Sequence, residues 1–198
     1  MTDSHDPALE KLIHDFARPK YDVFYPTDTW NEVLPGLFLG GTAAEDDMGS
    51  GSGLSGGVGS GFGVPENSVN KKNFDTVVTL YAWARPADWF VKELRLGILD
   101  GPLDDSVRGK AAGYDMDAIR QLVVTAHADW KAGKRVLIRC QAGINRSSLI
   151  CALVLIREGL TAKRAIDLMR RQRGMAVLAN SHFVDWLMRQ DPATIRAW

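Results

Sequence analysis

The chain is predicted to fold as a single α/β domain, a central, largely parallel sheet flanked by helices. Three observations carry this expectation. Short β-branched apolar runs alternate with longer segments whose apolar residues recur at helical spacing. The 198 residues are enough for one proper core, and 45% hydrophobic with 24% charged residues is the balance of a soluble globular protein. No internal repeat occurs, and no apolar run is long enough to span a bilayer.

The elements follow in order. Asp6 and Pro7 have the character of an N-cap and first helical residue, and Leu9, Leu12, Ile13 and Phe16 repeat at helical spacing. "WNEVLPGLFLGG" reads as two short strands around a turn at Pro35-Gly36. Gly49 to Gly63, "GSGSGLSGGVGSGFG", reads as a flexible insertion, because it has neither a GxGxxG register nor a Gly-Lys-Ser/Thr. "FDTVVTLYAWA" is expected to form a central strand, "ADWFVKEL" a short helix, and "LRLGILD" a strand ending at Asp100. "GPLDDSVRGKAAG" is a loop. Tyr114 to Lys131 carries Ile119, Leu122, Val123, Ala126 and Trp130 on one helical face, and Gly133 stops it. "KRVLIRC" is a strand and "RSSLICALVLIREG" a buried helix. "TAKRAIDLMRRQRG" is a helix capped by Thr161, and "NSHFVDWLMRQ" is the last one.

Composition limits the function classes. Lys plus Arg equals Asp plus Glu, so nothing pulls the whole chain toward nucleic acid or an anionic membrane. Two cysteines, Cys140 and Cys151, make no disulfide framework. No CxxC pair or Cys/His cluster suggests a metal, and no cofactor is expected. The polar N-terminus is not that of a signal peptide, and a reducing, cytoplasmic location is expected.

The chemistry concentrates in "VLIRCQAGINRSSLI". An apolar strand ends at Cys140, a tight loop of five residues follows, and a helix begins at Arg146. The N–H groups of Gln141, Ala142, Gly143, Ile144, Asn145 and Arg146 are able to form an anion nest. The helix adds the positive end of its dipole. Gly143 permits a backbone angle other residues resist. Arg146 offers a planar fork that fits two phosphate oxygens. This positive surrounding favours the thiolate of Cys140, the attacking form. Ser147 is placed to hydrogen-bond the thiolate or the departing sulfur. A proton donor for the leaving oxygen is also needed. Asp100 at a strand end is the first candidate, and Asp104 and Asp105 in the next loop stay open.

At these residues the chain resembles the cysteine-dependent phosphatases, specifically the dual-specificity branch in its atypical form. "CQAGINRSS" is similar to the family's Cys-x-x-Gly-x-x-Arg-Ser loop, "EVLPGLFLGG" to its first strand pair, "LGILDGPLDD" to its acid-bearing segment, and "AIDLMRRQRG" with "NSHFVDWL" to its C-terminal helices. The resemblance implies the cysteine phosphatase fold and hydrolysis of phosphomonoesters through a phosphocysteine, without metal. It implies Cys140 as nucleophile, Arg146 on the phosphate and Asp100 as the acid, with a phosphorylated protein or another phosphomonoester as partner. Two departures stand out. Arg139 replaces the usual His, and either supplies positive charge to the thiol or ends the strand in a surface ion pair. Asn145 stands where serine is common in the dual-specificity branch, and asparagine there also appears in the related RNA 5′-triphosphatases. A phosphate-binding pseudophosphatase, a phosphatase of phosphoinositides or RNA 5′ ends, and rhodanese-type sulfur transfer are the rival readings, with nucleic acid the lesser one.

Outside the loop, Cys151 reads as a small core residue and the four histidines as surface or helix residues. Trp83 and Trp89 either wall a cleft or pack in the core or rim. The basic helix residues read as a solvated face, and Asn180 as a helix cap.

Overall fold

The computed structural model describes residues 6–16, 23–42, 69–101 and 114–198. Its strands are β1 (Trp30–Leu34), β2 (Leu37–Gly40), β3 (Thr76–Thr79), β4 (Lys92–Arg95) and β5 (Val136–Arg139). They form one sheet in the order β1-β2-β5-β3-β4. β1 and β2 pair antiparallel around Gly36, whose φ of 80° is the left-handed conformation that glycine adopts most easily. The pairs β2–β5, β5–β3 and β3–β4 are parallel. β5, rather than β3, lies in the middle.

The helices are α1 (Pro7–Phe16), α2 (Met116–Lys131), α3 (Arg146–Glu158), α4 (Ala162–Arg173), α5 (Ser181–Arg189) and α6 (Pro192–Arg196). Their starts follow the capping chemistry of the sequence. Asp6 accepts from the Ala8 N–H at 2.9 Å, Asp115 from Asp117 and Ala118, Thr161 from Arg164, and Asn180 from His182. Such a cap is worth about 1 kcal/mol. Residues Ser147 to Ile156 of α3 are all buried, as an apolar helix in the middle of a core requires.

Three expectations need correction. "ADWFVKEL" is not a helix: Trp89 and Phe90 form a turn and Lys92–Arg95 is β4. The strand expected in "LRLGILD" therefore lies earlier, and Leu96 to Asp100 is not part of the sheet. Pairing explains the shift. Lys92 N–H bonds Asp75 O at 3.1 Å and Leu96 N–H bonds Thr79 O at 3.0 Å, so the edge of β3 decides the conformation over local helix propensity. α5 is also not the last helix, since α6 follows. The Gly49–Gly63 insertion, Asp104 and Asp105 lie outside the described residues.

The faces of the sheet differ. Leu39, Val78, Ile138 and Cys140 enter a large apolar cluster with α1, α2, α3, α4 and α5. Their strand neighbours Phe38, Val77 and Leu137 point the other way, into a small cluster with Val69, Phe74 and Val91. Alternation along each strand produces this division. It sends Cys140 toward the start of α3 and Arg139 to the opposite face.

Candidate active site

Cys140 follows β5 directly and is buried. Its Sγ lies 3.2 Å from Ser147 Oγ in the first turn of α3. Between them the loop runs with its carbonyls turned outward. Gln141 O accepts the Thr42 N–H at 2.9 Å, and Ile144 O accepts the Leu178 N–H at 2.9 Å. Arg173 takes the two in the middle, with Nε on Gly143 O at 2.9 Å and Nη2 on Ala142 O at 3.4 Å. In a trans peptide the N–H points opposite the carbonyl. Four outward carbonyls therefore turn the N–H groups of Ala142, Gly143, Ile144 and Asn145 inward. Among the described residues none of these four N–H groups meets an acceptor. The result is a concave row of donors ending at the α3 N-terminus, suited to a multiply charged oxyanion.

Gly143 makes the curvature possible. Its φ is 67°, and a Cβ there would stand 2.3 Å from Gly40 C, 2.5 Å from Gly41 N and 2.5 Å from Arg173 Nη2. The loop thus rests directly on the end of β2 and on the arginine behind it.

Arg173 was expected on a solvated basic face of α4 and is instead 3% exposed. Its Nη1 also bonds Asn31 Oδ1 at 2.8 Å and Asp28 O at 3.2 Å. Burial pushes its pKa down to about 10, opposed by the charges of Cys140 and Asp28, so it stays protonated at neutral pH. Arg170, on the same helix, bonds Val177 O at 3.0 Å and serves the backbone too.

Arg146 reaches back over the loop. Its guanidinium carbon lies 5.4 Å from the Tyr81 ring centroid, and Nη1 makes a long 3.5 Å contact to Ile98 O. Its Nε is buried with no acceptor among the described residues, leaving donors for a ligand.

Asp100 comes to the rim of the same loop. Asn145 Nδ2 donates to its Oδ2 at 2.9 Å, and Asn180 Nδ2 donates to its Oδ1 at 2.8 Å. The backbone on both sides of Asp100 is tied to the Tyr114 hydroxyl, which lies 2.8 Å from Leu99 O and 3.1 Å from Gly101 O, and whose oxygen accepts the Gly101 N–H at 3.2 Å. Burial first, and then the charge of Asp100, raises the Tyr114 pKa above the usual phenol value. Its hydroxyl is therefore a neutral donor over the whole working range. The structure brings together Cys140, Ser147, Gln141 to Arg146 and Asp100.

Arg139 does end β5 in an ion pair, with Glu93, but a buried one, since it is only 1% exposed. On the face away from Cys140, Nε donates to Thr79 Oγ1 at 3.0 Å and Nη2 to Arg85 O at 2.6 Å, with Glu93 Oε1 at 3.4 Å. Glu93 also accepts from Thr79, Arg95 and the Ala87 N–H. This network secures residues 82–87 beyond β3, where Arg95 Nη2 holds Ala84 O at 2.7 Å.

The remaining candidates divide. Cys151 is fully buried and its thiol pKa is driven upward by burial, as a core residue's would be. His127 pairs with Glu158 at 2.8 Å, while His14 and His182 are exposed and His5 lies outside the described residues. Trp83 and Trp89 are exposed rather than core residues. No three metal-ligating side chains come together among the described residues. Reasoning from sequence missed Arg173, Tyr114 and Tyr81. Tyr114 left one signal, a large aromatic immediately before the Asp115 cap.

Residues 63–191 match the family model for the dual specificity phosphatase catalytic domain. No curated protein sequence matches the chain. Among solved structures it is similar to human DUSP28, with a TM-score of 0.60 and 22% identity over 86% of this chain and 98% of that one. It is similar also to the human tyrosine phosphatase-like serine/threonine/tyrosine-interacting protein, with a TM-score of 0.56 and 19% identity over 85% and 98%.

Proposed function

The chain belongs to the dual specificity phosphatase catalytic-domain family, and from that premise we propose that it hydrolyses phosphomonoesters through a phosphocysteine on Cys140, acting on phosphotyrosine or phosphoserine/threonine in proteins. One observation carries the reading. The Cys140 sulfur stands at the base of a loop whose successive carbonyls are drawn outward by Thr42, Arg173 and Leu178, leaving inward N–H groups and Arg146 for three phosphate oxygens.

The steps follow from the placement. The Cys140 thiolate attacks phosphorus in line; an S–P bond forms as the P–O ester bond breaks. The proton on Asp100 moves to the leaving oxygen. Water then attacks the phosphocysteine and gives its proton to the Asp100 carboxylate. The S–P electron pair returns to sulfur, where the Ser147 hydroxyl 3.2 Å away steadies the thiolate. The loop N–H groups and Arg146 need no reorganisation as charge spreads over the equatorial oxygens. A phosphate binder without turnover was suggested by Arg139. That side chain is engaged on the opposite face, and hydrolysis is the reading preferred.

The test is hydrolysis of an aryl phosphate by the full chain in EDTA. Cys140→Ser is expected to abolish release of inorganic phosphate while keeping phosphate affinity, because the loop remains. Turnover at the parent rate in Cys140→Ser overturns the reading. Phosphate binding by the parent without hydrolysis moves the assignment to a binding module.

A further inference from the structure

Asp100 is fixed by two carboxamides that belong to different parts of the fold. We propose that Asn145 and Asn180 are the positioning residues of this phosphatase, holding the Asp100 carboxylate over the phosphate loop as one linked unit. The inference rests on Asp100 being the general acid.

The hydrogen bonds define one self-consistent arrangement. Asn145 lies in the loop, one residue before Arg146. Its Nδ2 donates to Asp100 Oδ2 at 2.9 Å, and its Oδ1 accepts the Asn180 N–H at 3.0 Å. Asn180 Nδ2 donates to Asp100 Oδ1 at 2.8 Å, and its Oδ1 accepts the His182 N–H at 3.0 Å, capping α5. Turning either amide over would set oxygen against carboxylate and N–H against N–H. The network therefore fixes which end of each amide faces Asp100. Asp100 is otherwise an exposed side chain on a segment outside the sheet, free to sample several rotamers.

The geometry also leaves Asp100 able to work. A carboxylate has about four lone-pair sites, and the two amides use one on each oxygen. A further site on either oxygen can carry the proton. Both donors are neutral amides. Asn145 carries this arrangement further than a hydroxyl would. A serine at this position ends one atom from Cβ, whereas the carboxamide spans from the loop to Asp100 and to the start of α5 together. One side chain thereby reports the seating of the phosphate loop to the proton donor.

The experiment compares kcat on phenyl phosphate, a poor leaving group, with kcat on 2,4-dinitrophenyl phosphate, a good one. A donor out of place penalises the first far more than the second. Asn145→Ser is expected to lower the ratio of the two by about 10- to 100-fold, the scale of a displacement near 1 Å. Asn180→Ser keeps a good capping oxygen for α5 and deletes only the amide donor, so it is expected to lower the ratio at little change in Tm. It carries the test alone if the loop variant folds poorly. In an Asp100→Asn background neither substitution should change the ratio further. An equal loss on both substrates, or no loss, overturns the proposal while the acid assignment stands. If Asp100→Asn itself leaves the ratio at the parent value, the acid reading falls and takes this proposal with it.

Discussion

The phosphate loop and the acid segment face each other across the site and are held by different means. The loop is fixed through its backbone, with one carbonyl after another bound by Thr42, Arg173 and Leu178 and Gly143 pressed against β2. The segment from Leu96 to Gly101 has one backbone tie, Leu96 N–H to Thr79 O. Beyond it, among the described residues, side chains hold it: the Tyr114 hydroxyl, the two asparagine amides and a long contact from Arg146 to Ile98 O. The contrast matches the two tasks. Stabilising a dianion requires several donors at fixed places before substrate arrives, and any looseness lowers every step. Delivering one proton requires reach, and the donor acts on only one bond. Damage to the loop should therefore reduce binding and turnover together, and damage to the acid segment should appear selectively with poor leaving groups.

The largest effect is expected at Gly143. An added Cβ meets backbone atoms of Gly40 and Gly41 at 2.3 and 2.5 Å, and the φ of 67° disfavours any side chain. Neither neighbour is able to move without shifting the end of β2. Gly143→Ala should lower kcat/KM by about 100-fold or more, and equally for good and poor leaving groups. Competitive binding of inorganic phosphate should weaken in parallel. Intact phosphate affinity in this variant would show that the loop tolerates movement and would remove the contrast.

A smaller effect is expected at Tyr114. Its hydroxyl has one proton to give to Leu99 O or Gly101 O, and it accepts from Gly101. Tyr114→Phe deletes these bonds and leaves the ring in the core. kcat on phenyl phosphate should fall about 3- to 10-fold, inside the roughly 10²–10⁴ that general acid catalysis contributes. Phosphate affinity should hold. Because the phenol pKa lies above its usual value, this hydroxyl adds no limb of its own to the pH profile below pH 10. A uniform loss across leaving groups would mean that Tyr114 supports the whole site instead of the acid segment.

How much of this is written locally in the chain depends on sequence separation. Cys140, Gly143, Arg146 and Ser147 fall within eight consecutive positions, where strand, loop and helix signals fix their arrangement together. Asp100 was one of three aspartates the sequence offered, singled out by the family-like Asp-Gly at Gly101, although the strand expected to end there is not part of the sheet. The helix caps at Asp6, Thr161 and Asn180 are local chemistry and were equally readable. Arg173 was not. It is 30 residues from its partner Gly143, and its neighbours Arg170 and Arg171 give the helix end the look of a charged surface. The partners Asn145 and Asn180 lie 45 and 80 positions from Asp100, and nothing short of the folded topology joins them. β4 was lost for the same reason, since pairing with β3 rather than propensity defines it. Arg139 is the instructive case. Its face follows from strand parity alone, because it shares a side with Leu137 and opposes Ile138 and Cys140.

That parity gives the smallest expected effect on catalysis and the sharpest control. Arg139 is adjacent to the nucleophile in sequence, yet its guanidinium is occupied by Thr79, Arg85 and Glu93 across the sheet. If position along the chain mattered, replacing it would disturb the thiol; if only the face matters, it will not. Arg139→Met keeps the bulk and removes the charge. Glu93 then loses one partner but retains Thr79, Arg95 and the Ala87 N–H. Destabilisation should fall below the roughly 3–5 kcal/mol seen when a buried pair is broken outright. Tm should drop, while kcat/KM well below it and the pH dependence of Cys140 alkylation by iodoacetate stay with the parent. A displaced alkylation profile at unchanged Tm would instead make Arg139 an electrostatic part of the site, acting through the strand and not through the face it occupies.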